Sequence, residues 1–361
     1  MKILNYSITV GWLVLLILTV ASCQNQENVF PNFTYSTTYF PWQYPVRTLV
    51  LGESLYYDNT NDINHRFEIK ACVGGMYANT QNRKVGFEVD PTLVDGLFFF
   101  NGTDTVKLQM LPSNYYAAIT ATSFIIPSGS FNGGITVQLT DAFFADTLSY
   151  SKKYVLPLRI LSAQTDSILK GKPQQAALPS IIPSVAAKWG VDPRVSTDWM
   201  IVPMNFTIFV VNYVNKYNGT YLKRGVEVNQ SVTPNVSKGY GWENLYIEKT
   251  TYLPLLSTRG LNKLLYADVT AVSKVGFRAI LSVNGSAVTI QSESPTSAVQ
   301  VTGTGSFSTD QEQWGGKKRM AFYLNYQVTN SATSKSYNIK DTLVIRDNAV
   351  AVNTIAPIVK L

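Results

Sequence analysis

The chain has 361 residues, 45% apolar, 12% aromatic and 15% charged, with a formal net charge of +7. Charge this sparse beside ordinary apolar content excludes a disordered chain and a bundle of charged helices. One histidine, His65, and two cysteines exclude a Cys/His zinc site, and any Ser-His-Asp triad would have to use His65.

Lys2, the apolar run Ile8 to Val20 and then Ala21-Ser22-Cys23 have the order of a secretory signal, too short for a membrane span. The small residues directly before Cys23 resemble a bacterial lipobox, so residues 1–22 are expected to be a lipoprotein signal peptide. Cys23 is then the lipidation site, which anchors the chain in a bilayer. Cys72 would remain as the only thiol, too few for an internal disulfide, and it sits in an alternating stretch as a small hydrophobe.

Residues 23–45, polar and then Pro-punctuated, read as a tether. Residues 46–162 have period two, clearest at Val85–Val89, Ile135–Leu139 and Tyr154–Ile160, with turn clusters between, which predicts a β-sandwich of immunoglobulin-like size. Pro157 places its strand at an edge or a bulge. Residues 163–199 carry a weak helical stretch (Asp166–Lys170) and then Pro173, Pro179, Pro183 and Pro193, and read as a Pro-rich interdomain connection. Trp189 and Trp199 are expected to seal the domain junction. Residues 200–361 hold about eight strands, beginning with Asn205–Tyr213 and including Leu245–Leu253, with hairpin signals at Asn218-Gly219 and Asn284-Gly285. Consecutive strands on short turns predict an antiparallel up-and-down, lipocalin-like β-barrel, because closure removes exposed edges. The fold class expected is therefore all-β, a sandwich followed by a barrel.

The chemistry-bearing residues are few. Acids are scattered singly, without the paired carboxylates that glycoside hydrolysis needs, so no catalytic residue, metal ligand or cofactor is assigned and the chain is not read as an enzyme. Asp58–Asp62 is the one oxygen-rich stretch and reads as a polar turn rather than an ion loop. Basic residues are dispersed apart from Lys317-Lys318-Arg319, which gives no nucleic-acid footprint. Sugar binding needs flat apolar faces with fixed polar neighbours. Lys238-Gly239-Tyr240-Gly241-Trp242-Glu243-Asn244 suits it: Tyr240 and Trp242 on a Gly-flanked loop, with Glu243 and Asn244 beside them. Trp314, in another loop-like stretch, is a further candidate, and a cap over the barrel end is its alternative role.

Several segments resemble paired modules of Bacteroidota-type surface lipoproteins. Val85–Asp90, Leu111–Tyr116, Ile125–Gly129 and Tyr154–Ile160 are similar to the domain of unknown function that precedes the catalytic domain of some endo-β-N-acetylglucosaminidase lipoproteins. Lys216–Tyr221, Arg224-Gly225, Trp314–Arg319 and Asp341–Asp347 are similar to the C-terminal domain that commonly follows it. The resemblance implies an outer-membrane lipoprotein of a polysaccharide-utilisation locus, lipid-anchored and facing the exterior, that binds oligosaccharide without catalysis. Its implied partners are an outer-membrane transporter and a partner glycan-binding lipoprotein, and the endoglycosidase association points to a host N-glycan. Two other roles stand beside this one: a structural or adhesive surface lipoprotein, and a lipocalin-like small-ligand carrier.

Overall fold

The computed structural model describes residues 33–54, 56–176, 179–241, 252–351 and 353–360. Cys23 lies outside them, as do Trp242, Glu243, Asn244 and most of the strand expected at Leu245–Leu253.

The first unit is built from β1 (Thr37–Tyr39), β2 (Pro45–Val50), β3 (Arg66–Gly74), β4 (Arg83–Val89), β5 (Leu97–Phe100), β6 (Thr105–Lys107), β7 (Gln109–Met110), β8 (Ser123–Ile126), β9 (Asn132–Gln138), β10 (Tyr154–Ala163), β11 (Ser167–Ile168), β12 (Lys172–Pro173), β13 (Trp199–Ile201) and β14 (Phe206–Val214). One sheet has the order β11-β1-β3-β9, and the other runs from β2 through β14, β10 and β4 to β8. Alternation in β3 turns Phe67, Ile69, Ala71 and Val73 inward against Val85, Phe87, Leu156 and Leu158 of the facing sheet. This is the sandwich core. Behind the second sheet lies another apolar layer, in which Leu93, Leu97, Phe99 and Leu108 cover Val155, Ile208 and Val210. Strands β10 and β14 are therefore buried on both faces along most of their length and read as near-continuous apolar runs, interrupted at Arg159, Thr207 and Asn212.

Four expectations change here. The strand at Phe206–Val214 belongs to the sandwich, pairing antiparallel with β10 and parallel with β2, so the barrel begins after it rather than at residue 200. Within the expected tether, Thr37–Tyr39 is a strand of the first sheet and Phe40 is core. The stretch read as weakly helical is strand β11, parallel to β1, fixed by the Asp166 carboxylate accepting from the Ser36 N–H (2.7 Å) and hydroxyl. Pro157 sits in a central strand. Its carbonyl accepts from Asp90 N–H (3.2 Å), where β4 has just ended opposite Leu158, so the missing proline donor falls at a strand end.

The second unit comprises β15 (Gly219–Asn229), β16 (Val236–Tyr240), β17 (Leu255–Gly260), β18 (Lys263–Val269), β19 (Gly276–Asn284), β20 (Ala287–Ser292), β21 (Val299–Trp314), β22 (Lys317–Asn330) and β23 (Lys335–Asp347). Successive antiparallel pairs run from β17 to β23, and β23 returns to β15 from Thr220↔Asp347 to Asn229↔Tyr337. Eight strands thus close a barrel, as expected; β16 is an additional strand on β15. Asn284-Gly285 forms a tight hairpin with Gly285 at φ 59°. Asn218-Gly219 does not: it is a turn between the two units, closed by Asn218 N–H on the Asn215 carbonyl (3.1 Å). The lumen is filled by rings, with Tyr217 against Phe307 (4.9 Å), Tyr266 against Phe277 (5.1 Å) and Phe322 against Phe307 (5.2 Å). Gly303 on β21 lets β22 lie close, since a Cβ there would stand 2.3 Å from the Asn325 carbonyl oxygen. After the barrel, β24 (Asn353–Thr354) joins β2 and β25 (Pro357–Val359) joins β5, both in the first unit.

Candidate functional site

Two polar constellations stand out, one inside the barrel and one at the seam between the units. The inner one centres on Asp341 of β23. Tyr266 and Tyr326 donate to its Oδ2 (3.1 and 2.7 Å), and Tyr240 donates to Oδ1. Gly225 makes the last contact possible: a Cβ there would lie 2.7 Å from Oδ1 and 2.9 Å from the Tyr240 hydroxyl. Lys223, buried, reaches Asp268 (2.6 Å) and the Val269 carbonyl (3.2 Å), and the Glu227 carboxylate accepts from the N–H groups of Val272 and Ser273 (2.8 and 2.9 Å). Burial holds the Asp341 carboxyl above its ordinary range against the pull of Lys223 and the three phenols. Every member has a partner within the cluster or its strands, so its chemistry is that of a satisfied polar core.

Tyr240 therefore differs from its expected place. It ends strand β16, 4% exposed, stacked on Tyr252 (5.9 Å) with its hydroxyl committed to Asp341. The apolar ring and its buried acceptor draw it inward, and no ligand face remains.

Burial pushes the Tyr213 phenol up to about 12, and Tyr221, Tyr266 and Tyr326 are raised by the same cause. A phenol raised in the folded state contributes stability that is fully present below about pH 10, the unfolded value, and is lost as pH rises through the folded one. Urea midpoints are expected to fall steeply between about pH 10 and 12, with the buried phenols adding their share of the tyrosinate absorbance at 295 nm only as the chain unfolds. Full tyrosinate absorbance reached without unfolding would contradict this burial.

The seam site is assembled from both units. After β2, Tyr56 and Tyr57 lie against the end of β23, where the Tyr56 hydroxyl donates to the Arg346 carbonyl (3.1 Å). Both rings stay exposed, at 68% and 53%. Tyr56 faces Trp314, Arg319, Arg346 and Asp347 across a cleft of about 410 Å³. A second cleft of about 400 Å³ continues past Arg319, with Leu51, Met320 and Ile345 along it and Glu53, Lys216 and Lys318 at its rim. A third, of about 300 Å³, opens on the other side of Tyr56 and Asp347.

Trp314 ends β21 and packs with Leu222, Ala321 and Val344 on the outer barrel wall, 9% exposed, so it is a wall of this cleft rather than a free platform. Its carbonyl accepts from Arg319 Nε (3.1 Å). Nearby, Arg224 donates to Glu312 (2.6 Å), which also accepts from the Tyr323 hydroxyl (3.0 Å). Of the candidate residues that lie among the described residues, Trp314 is at the seam and Tyr240 is not. Tyr56, Tyr57 and Arg346 were not singled out by sequence; the adjacent Tyr56-Tyr57 before a polar turn, and the basic run ending at Arg319, are the signals that could have found the cleft. Asp58–Asp62, read as a polar turn, leads into a short helix at Thr60–Ile63: Asn59 donates to the Val50 and Gly52 carbonyls (3.0 and 2.7 Å), and Asp62 holds Arg47 and accepts from the Val50 N–H (3.0 Å).

Comparison with known proteins divides the chain in the same way. Residues 32–167 match a family model describing an N-terminal domain, and residues 216–349 match DUF5627, a domain of unknown function. A crystal structure of a structural-genomics protein of unknown function from Bacteroides ovatus is 33% identical, over 91% of this chain and 100% of that one, with a TM-score of 0.75. The chain belongs to the same family as that protein. It is a Bacteroidota two-domain protein. A multidomain protein including DUF1735, also from Bacteroides ovatus, is 11% identical over 88% of this chain and 97% of that one, with a TM-score of 0.40. No curated protein matches. Within this family architecture the seam cleft draws Tyr56 from the first matched region and Trp314, Arg319, Arg346 and Asp347 from the DUF5627 region.

Proposed function

We propose that the protein is an outer-membrane lipoprotein, anchored through acylated Cys23 and facing the exterior, that binds oligosaccharide without chemical change as part of a glycan-uptake system. The observation that carries the sugar-binding part is the seam cleft: the exposed Tyr56 ring faces a tryptophan wall, with guanidinium and carboxylate groups beside it, and the exposed Tyr57 ring lines the adjoining cleft. Pyranose rings pack their C–H faces on such rings while their hydroxyls pair with the flanking charges. The ring-filled lumen weighs against a lipocalin-like carrier. The partner transporter and partner lipoprotein belong to the same proposal and rest on the resemblance of the two modules.

Titration calorimetry against host N-glycans and plant oligosaccharides tests the reading. Micromolar to millimolar binding is expected, with affinity dropping about tenfold or more in Tyr56→Ala, the loss usual for an aromatic anchor. Because Tyr56 also docks the loop, Tyr57→Ala, whose ring lines the adjoining cleft, is the companion variant, and a weaker loss is expected there. Unaltered affinity in both variants, or silence toward every glycan, refutes a sugar site at the seam.

A further inference from the structure

Resting on the sugar-binding reading of the seam, we infer that the cleft selects oligosaccharides bearing a carboxylate. Its second lobe gathers three cations, Lys216, Lys318 and Arg319, against one acid, Glu53. The Arg346–Asp347 pair (3.1 Å) in the first lobe is internally compensated. The ion pair of Lys318 with Asp310 is long and exposed (3.8 Å, side chains 68% and 62% exposed) and neutralises little in water. Lys216 lies over the Tyr217 ring (5.1 Å).

Arg319 lines both lobes. Its Nε is spent on the Trp314 carbonyl, which fixes the guanidinium at the cleft wall. A guanidinium held in place meets a ligand oxygen at less ordering cost. Neutral hydroxyls can serve, but a planar carboxylate offers two oxygens to the guanidinium fork and adds charge attraction. Leu51, Met320 and Ile345 beside the cations would receive the apolar face of the same sugar, so ring and carboxylate are read together.

The probes are matched pairs: sialylated and desialylated complex-type N-glycans, and trigalacturonate with its carboxyl-reduced counterpart. At low salt, at least one acidic member is expected to bind about tenfold tighter than its neutral twin, with the advantage shrinking as sodium chloride rises. Arg319→Gln is expected to bring the acid-to-neutral ratio close to one. Should that variant disturb the hairpin, the double variant Lys216→Gln/Lys318→Gln, at exposed positions, is expected to lower the ratio severalfold with an unchanged circular dichroism spectrum. Equal binding of both twins, or a ratio insensitive to all three substitutions, overturns the carboxylate preference while leaving the sugar site standing. Preference for sulfated trisaccharides over carboxylated ones overturns it as well. Absence of binding to every member of both pairs, neutral twins included, together with no response in the wider panel, removes the sugar site and this inference with it.

Discussion

Asp341→Ala is expected to destabilise the barrel by about 3–5 kcal/mol, read as a drop in urea midpoint. The carboxylate accepts from three tyrosines on three different strands, Tyr240 on β16, Tyr266 on β18 and Tyr326 on β22. Deleting it strands three hydroxyls in a dry interior, where each unsatisfied donor costs about 1–3 kcal/mol before relaxation. Lys223 keeps Asp268, so the loss is mainly one of hydrogen bonding and less of charge. Two further variants separate these terms. Asp341→Asn retains an acceptor oxygen and should cost less. Tyr266→Phe/Tyr326→Phe in the Asp341→Ala background removes two of the three stranded donors and should restore part of the loss. An Asp341→Ala midpoint within experimental error of the parent would show that water reaches these phenols and that the cluster is not a core.

The second large effect concerns the segment between the units. Arg194→Met is expected to cost about 3–5 kcal/mol and to expose residues 170–200 to proteolysis. Its guanidinium bonds Asp192 twice (2.9 and 2.7 Å) and also the Leu93 and Asp95 carbonyls (2.9 and 2.6 Å), with the side chain fully buried. Methionine fills similar space yet leaves the Asp192 carboxylate and two carbonyls without their partner. Two neighbours pin the same segment: Trp199 Nε1 donates to the Asp192 carbonyl (2.8 Å) and Trp189 Nε1 to Asp90 (3.1 Å), while Arg159 sits 4.2 Å over the Trp189 ring. A variant with parental stability and parental cleavage pattern would mean the segment is only loosely laid on the sandwich.

That segment also shows where sequence and structure part. Its prolines read as a connection, but Val185, Trp189 and Arg194 pack it over the outer layer of the first unit, and the two tryptophans pin it there instead of sealing the junction. Strands with one buried face, such as β3, β4, β9 and β19, were legible because alternation survives in the letters. Strand β14 was legible as a strand but not by address, since burial on both faces erases the alternation that would tie it to one core. Strand β21 escaped notice: its Thr, Ser, Gly and Asp residues have weak apolar contrast, and pairing with β20 and β22 holds it extended between a few apolar anchors such as Val301 and Phe307. The seam cleft was illegible for another reason. Its rings and its cations come from distant parts of the chain, and the return of β23 beside Tyr56 and Tyr57 makes them neighbours.

The route of the backbone has one more implication. The chain passes into the barrel at Asn215 and out at Asn348, and these crossings adjoin, since Asn218 Nδ2 donates to the Asn348 carbonyl (2.9 Å). β24 and β25 then rejoin the sandwich sheets. The barrel is thus suspended by two adjacent threads instead of one. Such a mounting leaves rocking about the line through the threads as its easiest motion and resists swivelling. Any molecule that grips Tyr56 on one side and Arg319 on the other bridges that line, and its arrival should stiffen the two halves into a single body.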